Sequence, residues 1–130
     1  MLLVKLFSIC VLMMVLSGCV SFYDPFEYRK YIEIIVLAEE GKCTPAHVEK
    51  MIQESRFLYF YTYYTPFNEQ SANASQKIYL AIRELDERVK GGPVSPKYCK
   101  LKLEGISFMA QLFADAVRKK PLDWRQAPNE

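Results

Sequence analysis

The sequence predicts an all-α domain, a four-helix up-down bundle with one disulfide. Three of the four predicted helix starts place a capping residue directly before a proline, the residue that suits the first helical position. Apolar residues then recur at spacings of three and four in the second, third and fourth segments. Short connections place consecutive helices antiparallel. Because caps, prolines and periodicity agree, helices are favoured over any sheet.

The first predicted helix begins after Asp24 and ends near Glu40. The sequence DPFE at 24–27 combines an N-cap, a proline and an acidic residue that can complete a capping box. Gly41 then supplies a common C-terminal stop. The middle of the segment, YIEIIVLA, contains β-branched residues that are typical of strands, but the cap and the glycine favour a helix.

The second predicted helix follows Thr44 as its cap, runs from Pro45 to about Tyr64 and ends before Pro66. One apolar stripe along it is expected to face the core. The members of this stripe are Val48, Ile52, Ser55, Tyr59 and Tyr63.

The third predicted helix begins with a cap in NASQ at 73–76, after a loop over 65–72, and ends at the GGP sequence of 91–93. Its amphipathic face comprises Ile78, Ile82, Leu85 and Val89. The fourth begins after the Ser-Pro pair at 95–96 and ends before Pro121. Its face comprises Leu103, Ile106, Ala110, Phe113 and Val117.

Residues 1–18 have the pattern of a secretory signal. Lys5 precedes an uncharged run, Leu6 to Leu16, that is shorter than the roughly 20 residues needed to span a bilayer. The run ends in LSGC, which resembles the bacterial lipobox. The resemblance implies cleavage before Cys19, attachment of a diacylglycerol to its thiol and acylation of the new amine. The alternative is an ordinary signal peptide or membrane anchor with a chance cysteine.

The residue that follows Cys19 is Val20 and not aspartate. By resemblance to known lipoproteins, this implies an outer-membrane protein that is lipid-anchored and faces the periplasm. The predicted organisation has four parts: a signal peptide at 1–18, a lipidated tether at 19–23, the helical bundle at 24–120 and an irregular tail at 121–130.

Charge and motifs exclude several functions. The chain has 17 Lys plus Arg against 15 Asp plus Glu, and loss of Lys5 with the signal leaves a net charge of about +1, so nucleic-acid binding is not expected. No zinc-ligand spacing, phosphate loop or GxSxG motif is present. We therefore expect no enzyme, no cofactor and no metal site. His47, the one histidine, is expected to be a solvated residue of the second helix.

Two cysteines remain after processing, since Cys10 leaves with the signal and Cys19 carries lipid. A disulfide between Cys43 and Cys99 is the default in an oxidising compartment. In an up-down bundle the first and third turns lie at the same end, which brings these two residues together. A redox pair is the alternative, but the chain has no CxxC motif.

The stretch FLYFYTYY at 57–64 contains six aromatic residues in eight positions. A second, aromatic face therefore accompanies the apolar stripe of this helix. We predict that it binds a protein partner through Phe57, Phe60, Tyr61 and Tyr64. Two other interpretations stay open: cover by the first helix, the loop 65–72 and a tail carrying Trp124, or contact with lipid near the anchor.

A family resemblance rests on three segments, which are LSGC at 16–19, GKCTP at 41–45 and SPKYC at 95–99. In this layout the chain resembles the helical pilotins of type II secretion, which are small lipoproteins of four helices. The resemblance implies a chaperone-like protein that binds the C-terminal segment of a secretin subunit as a helix in a groove and brings it to the outer membrane. It also implies that Cys43 and Cys99 form a structural disulfide.

Two other functions remain open from the sequence. One is a toxin-immunity or exclusion lipoprotein, which would bind an incoming effector. The other is a structural lipoprotein of an envelope complex. A pilotin and an immunity protein would each bind another protein, whereas the structural lipoprotein would have no separable ligand.

Overall fold

The computed structural model describes residues 22–121, and within that range it contains four helices and no strand. The helices are α1 (Pro25–Glu39), α2 (Pro45–Tyr64), α3 (Glu69–Lys90) and α4 (Pro96–Arg118). The predicted fold class is confirmed. The predicted signal peptide, Cys19 with the first residues of the tether, and the tail beyond Pro121 with Trp124 lie outside the described residues.

Consecutive helices are antiparallel, and α1 also packs against α4. The backbone N–H of Tyr23 donates to the carbonyl of Pro121 at 2.9 Å, so the start of α1 lies beside the end of α4. We call this the aromatic end, which includes the α2–α3 turn at 65–68. The disulfide end comprises the turns at 40–44 and 91–95, where the Cα atoms of Cys43 and Cys99 are 5.9 Å apart in a disulfide.

Three helix starts were predicted correctly because their caps are local. Asp24 accepts hydrogen bonds from the backbone N–H groups of Phe26 and Glu27. The hydroxyls of Thr44 and Ser95 each accept one from the residue three positions later. Each satisfied N–H removes an unpaired donor from the first helical turn, a contribution of about 1 kcal/mol.

The predicted start of α3 was wrong. The helix begins at Glu69, so the segment NASQ at 73–76 lies inside it and the preceding loop covers only 65–68. The N-cap residue, Asn68, makes no side-chain capping hydrogen bond, and its Oδ1 lies 3.5 Å from Lys120 Nζ. Ser75, which had been placed in the cap, is fully buried and pairs with Thr62 of α2 at 2.6 Å.

The buried stripe of α2 also differs from the prediction in its second half. Val48, Ile52 and Ser55 are buried as expected, but the stripe continues through Leu58 and Thr62. Tyr59 is half-buried and Tyr63 is exposed. A repeated step of four residues drifts by about 40° per step around a helix with 3.6 residues per turn, so it leaves the core-facing side. Thr62 is satisfied there through hydrogen bonds from its hydroxyl to the carbonyls of Leu58 and Tyr59.

The core-facing stripes of α3 and α4 agree with the sequence. All four predicted residues of α3 and four of the five of α4 are buried, and Phe113 is half-buried against Tyr31 of α1. Each buried aliphatic side chain contributes roughly 1.5–3 kcal/mol relative to exposure. The fully buried large apolar side chains include Tyr31, Ile34, Met51, Leu58, Ile78, Ile82 and Leu85.

Candidate partner-binding site

The four predicted partner-binding residues line one open depression of about 540 Å³ on α2. Its lining consists of Phe57, Phe60, Tyr61, Tyr64 and Thr65, and we call it the aromatic depression. Residues 57, 61 and 64 follow each other at spacings of four and three, so the helix itself aligns them. The four residues that the sequence predicted thus share one surface of α2.

Helix α1 covers one side of the aromatic depression. The ring of Phe26 lies 4.5 Å from that of Tyr61 and 5.8 Å from that of Phe57, between ring centroids. The Tyr61 hydroxyl donates to Asp24 Oδ2 at 2.6 Å. The cover is incomplete, since Tyr64 keeps 76% of its surface exposed. The short turn at 65–68 adds little, and its Phe67 is itself exposed with a positive φ of 57°.

The contact with Asp24 favours the neutral form of Tyr61. Partial burial, followed by its hydrogen bond to the Asp24 carboxylate, raises the pKa of Tyr61 to about 12. The phenol hydroxyl donates a hydrogen bond to Asp24 and is neutral at physiological pH, as tyrosine ordinarily is. Tyr61 therefore presents an uncharged ring edge to a ligand in the depression.

A charged group closes the α1 side of the depression. Lys30 Nζ lies 5.6 Å and 5.7 Å from the ring centroids of Phe26 and Phe57. The same ammonium pairs with Glu33 at 2.9 Å and Glu54 at 2.7 Å. The rim is thus polar and internally paired, while the floor is aromatic, which is the usual anatomy of a protein-binding patch.

The aromatic surface continues across α2 toward α3. Phe60 stacks on Tyr59 at 5.6 Å, and Tyr59 stacks on Tyr79 of α3 at 5.8 Å. Tyr63 contacts Tyr59 and Tyr64 through ring edges or tilted faces. These ring contacts arrange the aromatic side chains as one continuous surface on α2 and α3.

Sequence reasoning missed a second exposed apolar surface, on α4. Leu101, Phe108 and Leu112 are each more than half exposed, although the core stripe of the same helix was predicted well. Phe108 also borders a groove of about 630 Å³ between α1 and the first half of α4. The signal was available, because spacings of four, three and four through Gly105 mark a second helical stripe.

The prediction that His47 is solvated was wrong. The ring is buried between the end of α1 and the start of α2. Its Nε2 lies 2.7 Å from the carbonyl oxygen of Leu37, and its Nδ1 lies 3.4 Å from Glu40 Oε2. The side chain therefore ties the α1–α2 turn together, and this role depends on tertiary contacts that a first-turn position does not reveal.

A buried polar cluster lies inside the aromatic end. Glu27 is almost fully buried, and its Oε2 is 4.0 Å from Lys120 Nζ. Lys120 also donates to Ser71 Oγ at 2.6 Å. Burial raises the pKa of Glu27. Glu27 Oε1 and the hydroxyl of Tyr31 have no hydrogen-bond partner among the described residues.

Residues 22–121 include no group of three or more His, Cys, Asp or Glu side chains arranged to hold a metal ion. Within the same range, no helix has the length and apolar character to cross a membrane. Comparison of the chain with protein-family models, with curated proteins and with solved structures finds no match.

Proposed function

We propose that this chain is an outer-membrane lipoprotein that acts as a pilotin-like chaperone. It binds the C-terminal segment of a secretin subunit and carries it to the outer membrane. One observation supports the proposal above the others: the four aromatic residues that the sequence singled out line one open, pre-arranged depression.

The depression suits an amphipathic helix. Phe57, Phe60 and Tyr64 offer exposed aromatic surface along two turns of α2, which matches apolar side chains spaced three and four apart on a ligand helix. Aromatic residues dominate the energetics of such interfaces. Lys30 at the rim pairs with both Glu33 and Glu54, so one carboxylate charge is in excess there, and it stays in contact with solvent.

The position of the depression also suits delivery to a membrane. It lies toward the aromatic end, where the described chain begins at Phe22. Phe22 is the third residue after Cys19, so the two are at most about 10 Å apart. A lipid on Cys19 would therefore hold the captured segment close to the bilayer surface.

The binding test uses the mature lipoprotein in mild detergent and a labelled peptide that matches the C-terminal segment of the secretin from the same genome. Phe60→Ser is expected to raise the Kd at least tenfold, which corresponds to about 1.4 kcal/mol. Leu80→Ser on α3 is the matched control, because Leu80 is 48% exposed and Phe60 is 49% exposed. Equal affinity of the two variants would remove the aromatic depression from the interface.

The cellular test is deletion with tracking of secretin multimers. We expect multimers to be lost from the outer membrane and restored by wild-type protein but not by Phe60→Ser. Normal outer-membrane multimers after deletion would contradict the pilotin role. Mass spectrometry of the processed protein checks the anchor, and a Cys19 without fatty acid would contradict it.

A further inference from the structure

Helix α4 carries an apolar stripe on the side that faces away from the core. The stripe consists of Leu101, Gly105, Phe108 and Leu112, and all four residues are exposed. Phe108 keeps 64% of its surface exposed. A Cβ built on Gly105 would meet no atom within 4 Å, so this position is an open notch in the stripe. Such a face on a small domain usually marks an interaction surface.

We propose that this stripe, called the α4 stripe, is a self-association surface on which α4 of a second copy packs antiparallel. The aromatic depression takes no part in the contact. The inference rests on the lipid anchor of the proposed function but not on the capture of a secretin segment. The argument rests on the order of large and small residues along the stripe and on the charges that flank it.

The order of residues makes the stripe complementary to itself. The inner pair, Gly105 and Phe108, and the outer pair, Leu101 and Leu112, are both centred on a point between Ile106 and Ser107. In an antiparallel pair centred there, Phe108 of each copy faces Gly105 of the other, and Leu101 faces Leu112. A ring thus enters a notch on both sides of a twofold axis, which is the isologous geometry of a symmetric dimer. The spacing of four, three and four is that of a coiled-coil seam.

The flanking charges permit this arrangement. Glu104 and Gln111 lie on the same edge of the stripe. Across the twofold axis, Glu104 of one copy therefore approaches Gln111 of the other, and no two like charges meet there. At each end Lys97 approaches the Asp115 and Arg118 pair of the second copy. Those two side chains are already joined at 3.3 Å, so Lys97 meets a neutral pair. Lys119, seven residues after Leu112 on the same side of α4, also approaches Lys97 of the second copy, so like charges at each end keep the dimer weak.

The area sets the strength of the contact. An aromatic side chain has about 150–250 Å² of surface, and Phe108 is 64% exposed. It can therefore bury roughly 100–160 Å² of apolar surface per copy. With two leucines and the aliphatic parts of the flanking side chains, the interface stays at the low end of specific interfaces, below about 1,200 Å² in total. We expect a weak dimer that forms when copies share one membrane, because tethering raises their effective concentration.

Disulfide cross-linking of the mature lipoprotein in vesicles tests the orientation. Leu101→Cys mixed with Leu112→Cys should give a covalent dimer, since these positions face each other. Leu101→Cys alone should give at least tenfold less, because its two copies lie at opposite ends of the seam. Equal yields from the mixture and from Leu101→Cys alone would overturn the antiparallel pairing. No cross-link in either sample at high surface density, as expected if lipid or another protein covers the stripe, would overturn self-association.

A residue swap tests the notch. Gly105→Phe places two rings in one space, and Phe108→Gly leaves two notches, so each should lower the cross-linking yield at least tenfold. The double variant Gly105→Phe/Phe108→Gly has the composition of the wild type and again sets a ring against a notch. Its yield should return to within about threefold of the unsubstituted stripe. Failure of the double variant to recover, with helix content unchanged by circular dichroism, would overturn the proposed pairing.

Discussion

The two ends of the bundle are stabilised by different means. At the disulfide end, the Cys43–Cys99 bond joins the α1–α2 turn to α4, and the buried His47 ring braces the same turn. At the aromatic end, the described contacts are non-covalent: the Tyr23–Pro121 backbone hydrogen bond and the Lys120 contacts with Asn68, Ser71 and Glu27. The disulfide end is therefore cross-linked covalently, whereas the aromatic end depends on weaker contacts.

The difference between the two ends agrees with the proposal of a binding surface at the aromatic end. The aromatic end exposes apolar rings and buries a carboxylate, and both features reduce stability relative to a fully apolar core. Binding surfaces are drawn from the less stable parts of proteins. A covalent bond at the far end can offset that loss without covering the aromatic depression, and four predictions test this division.

The largest expected effect follows removal of the disulfide. Closing a loop with a sequence separation of 56 contributes about 4 kcal/mol in the chain-entropy model. Cys43→Ala/Cys99→Ala should therefore lose about that much free energy of unfolding in urea titration. Reduced wild-type protein, which serves as the control, should lose a similar amount. A loss below about 1 kcal/mol in both would mean that the disulfide end does not dominate stability.

The second effect is loss of the cation at the aromatic end. Lys120→Met leaves Glu27 buried without its neighbouring charge and removes the donor to Ser71, a cost of about 2–3 kcal/mol near neutral pH. The matched control is Lys119→Met, because Lys119 is exposed at the end of the same helix and its loss should change stability by less than about 0.5 kcal/mol. Equal effects in urea titration would exclude a role for the buried cluster.

A smaller effect concerns pH. Burial raises the pKa of Glu27 above its ordinary value of 4.5, so its protonated form is favoured in the folded state. The resulting stability is fully present below pH 4.5 and is lost as pH rises through the raised pKa. Glu27→Gln should thus gain stability relative to wild type as pH rises above 4.5, as measured by urea titrations at several pH values.

Glu33→Gln provides the control of opposite sign. The hydrogen bond from Lys30 lowers the pKa of Glu33, so its contribution is present above pH 4.5 and is lost as pH falls. Because Glu33 lies at the surface, solvent screening keeps this contribution small. A flat profile for Glu27→Gln relative to wild type would show that Glu27 is solvated in solution.

The smallest effect is expected at Tyr61. Tyr61→Phe removes the hydrogen bond to Asp24 Oδ2 but leaves the capping bonds to Oδ1 in place, so the cost should be about 1 kcal/mol. Absorbance titration of the tyrosines should lose a component near pH 12. A variant that retains this component would show that Asp24 does not hold Tyr61.

Local chemistry explains which parts of the fold were predictable. Asp24, Thr44 and Ser95 cap the helices that directly follow them, so three starts could be predicted from neighbouring residues alone. The start of α3 was misplaced because Asn68 and Asn73 are both residues that favour an N-cap, and neighbouring residues alone do not decide between them.

The candidate site was likewise predictable only in the part that local helical spacing determines. Helical spacing alone brings Phe57, Tyr61 and Tyr64 together on one face. How much of that face is covered depends on Phe26 and Asp24 of α1, which only the packing of the two helices determines. The α4 stripe was overlooked because a single core-facing stripe was assigned to each helix except α2.

The hydrogen bond between Tyr23 and Pro121 places the two ends of the segment 22–121 side by side. A short linker could join these two positions, and new chain ends could open at Gly91-Gly92, the turn beside the cystine. In such a circular permutant a lipid attached to the new amino terminus would invert the bundle on its membrane. For the proposed pilotin function, secretin delivery by the inverted protein would show whether the distance of the aromatic rings from the bilayer matters.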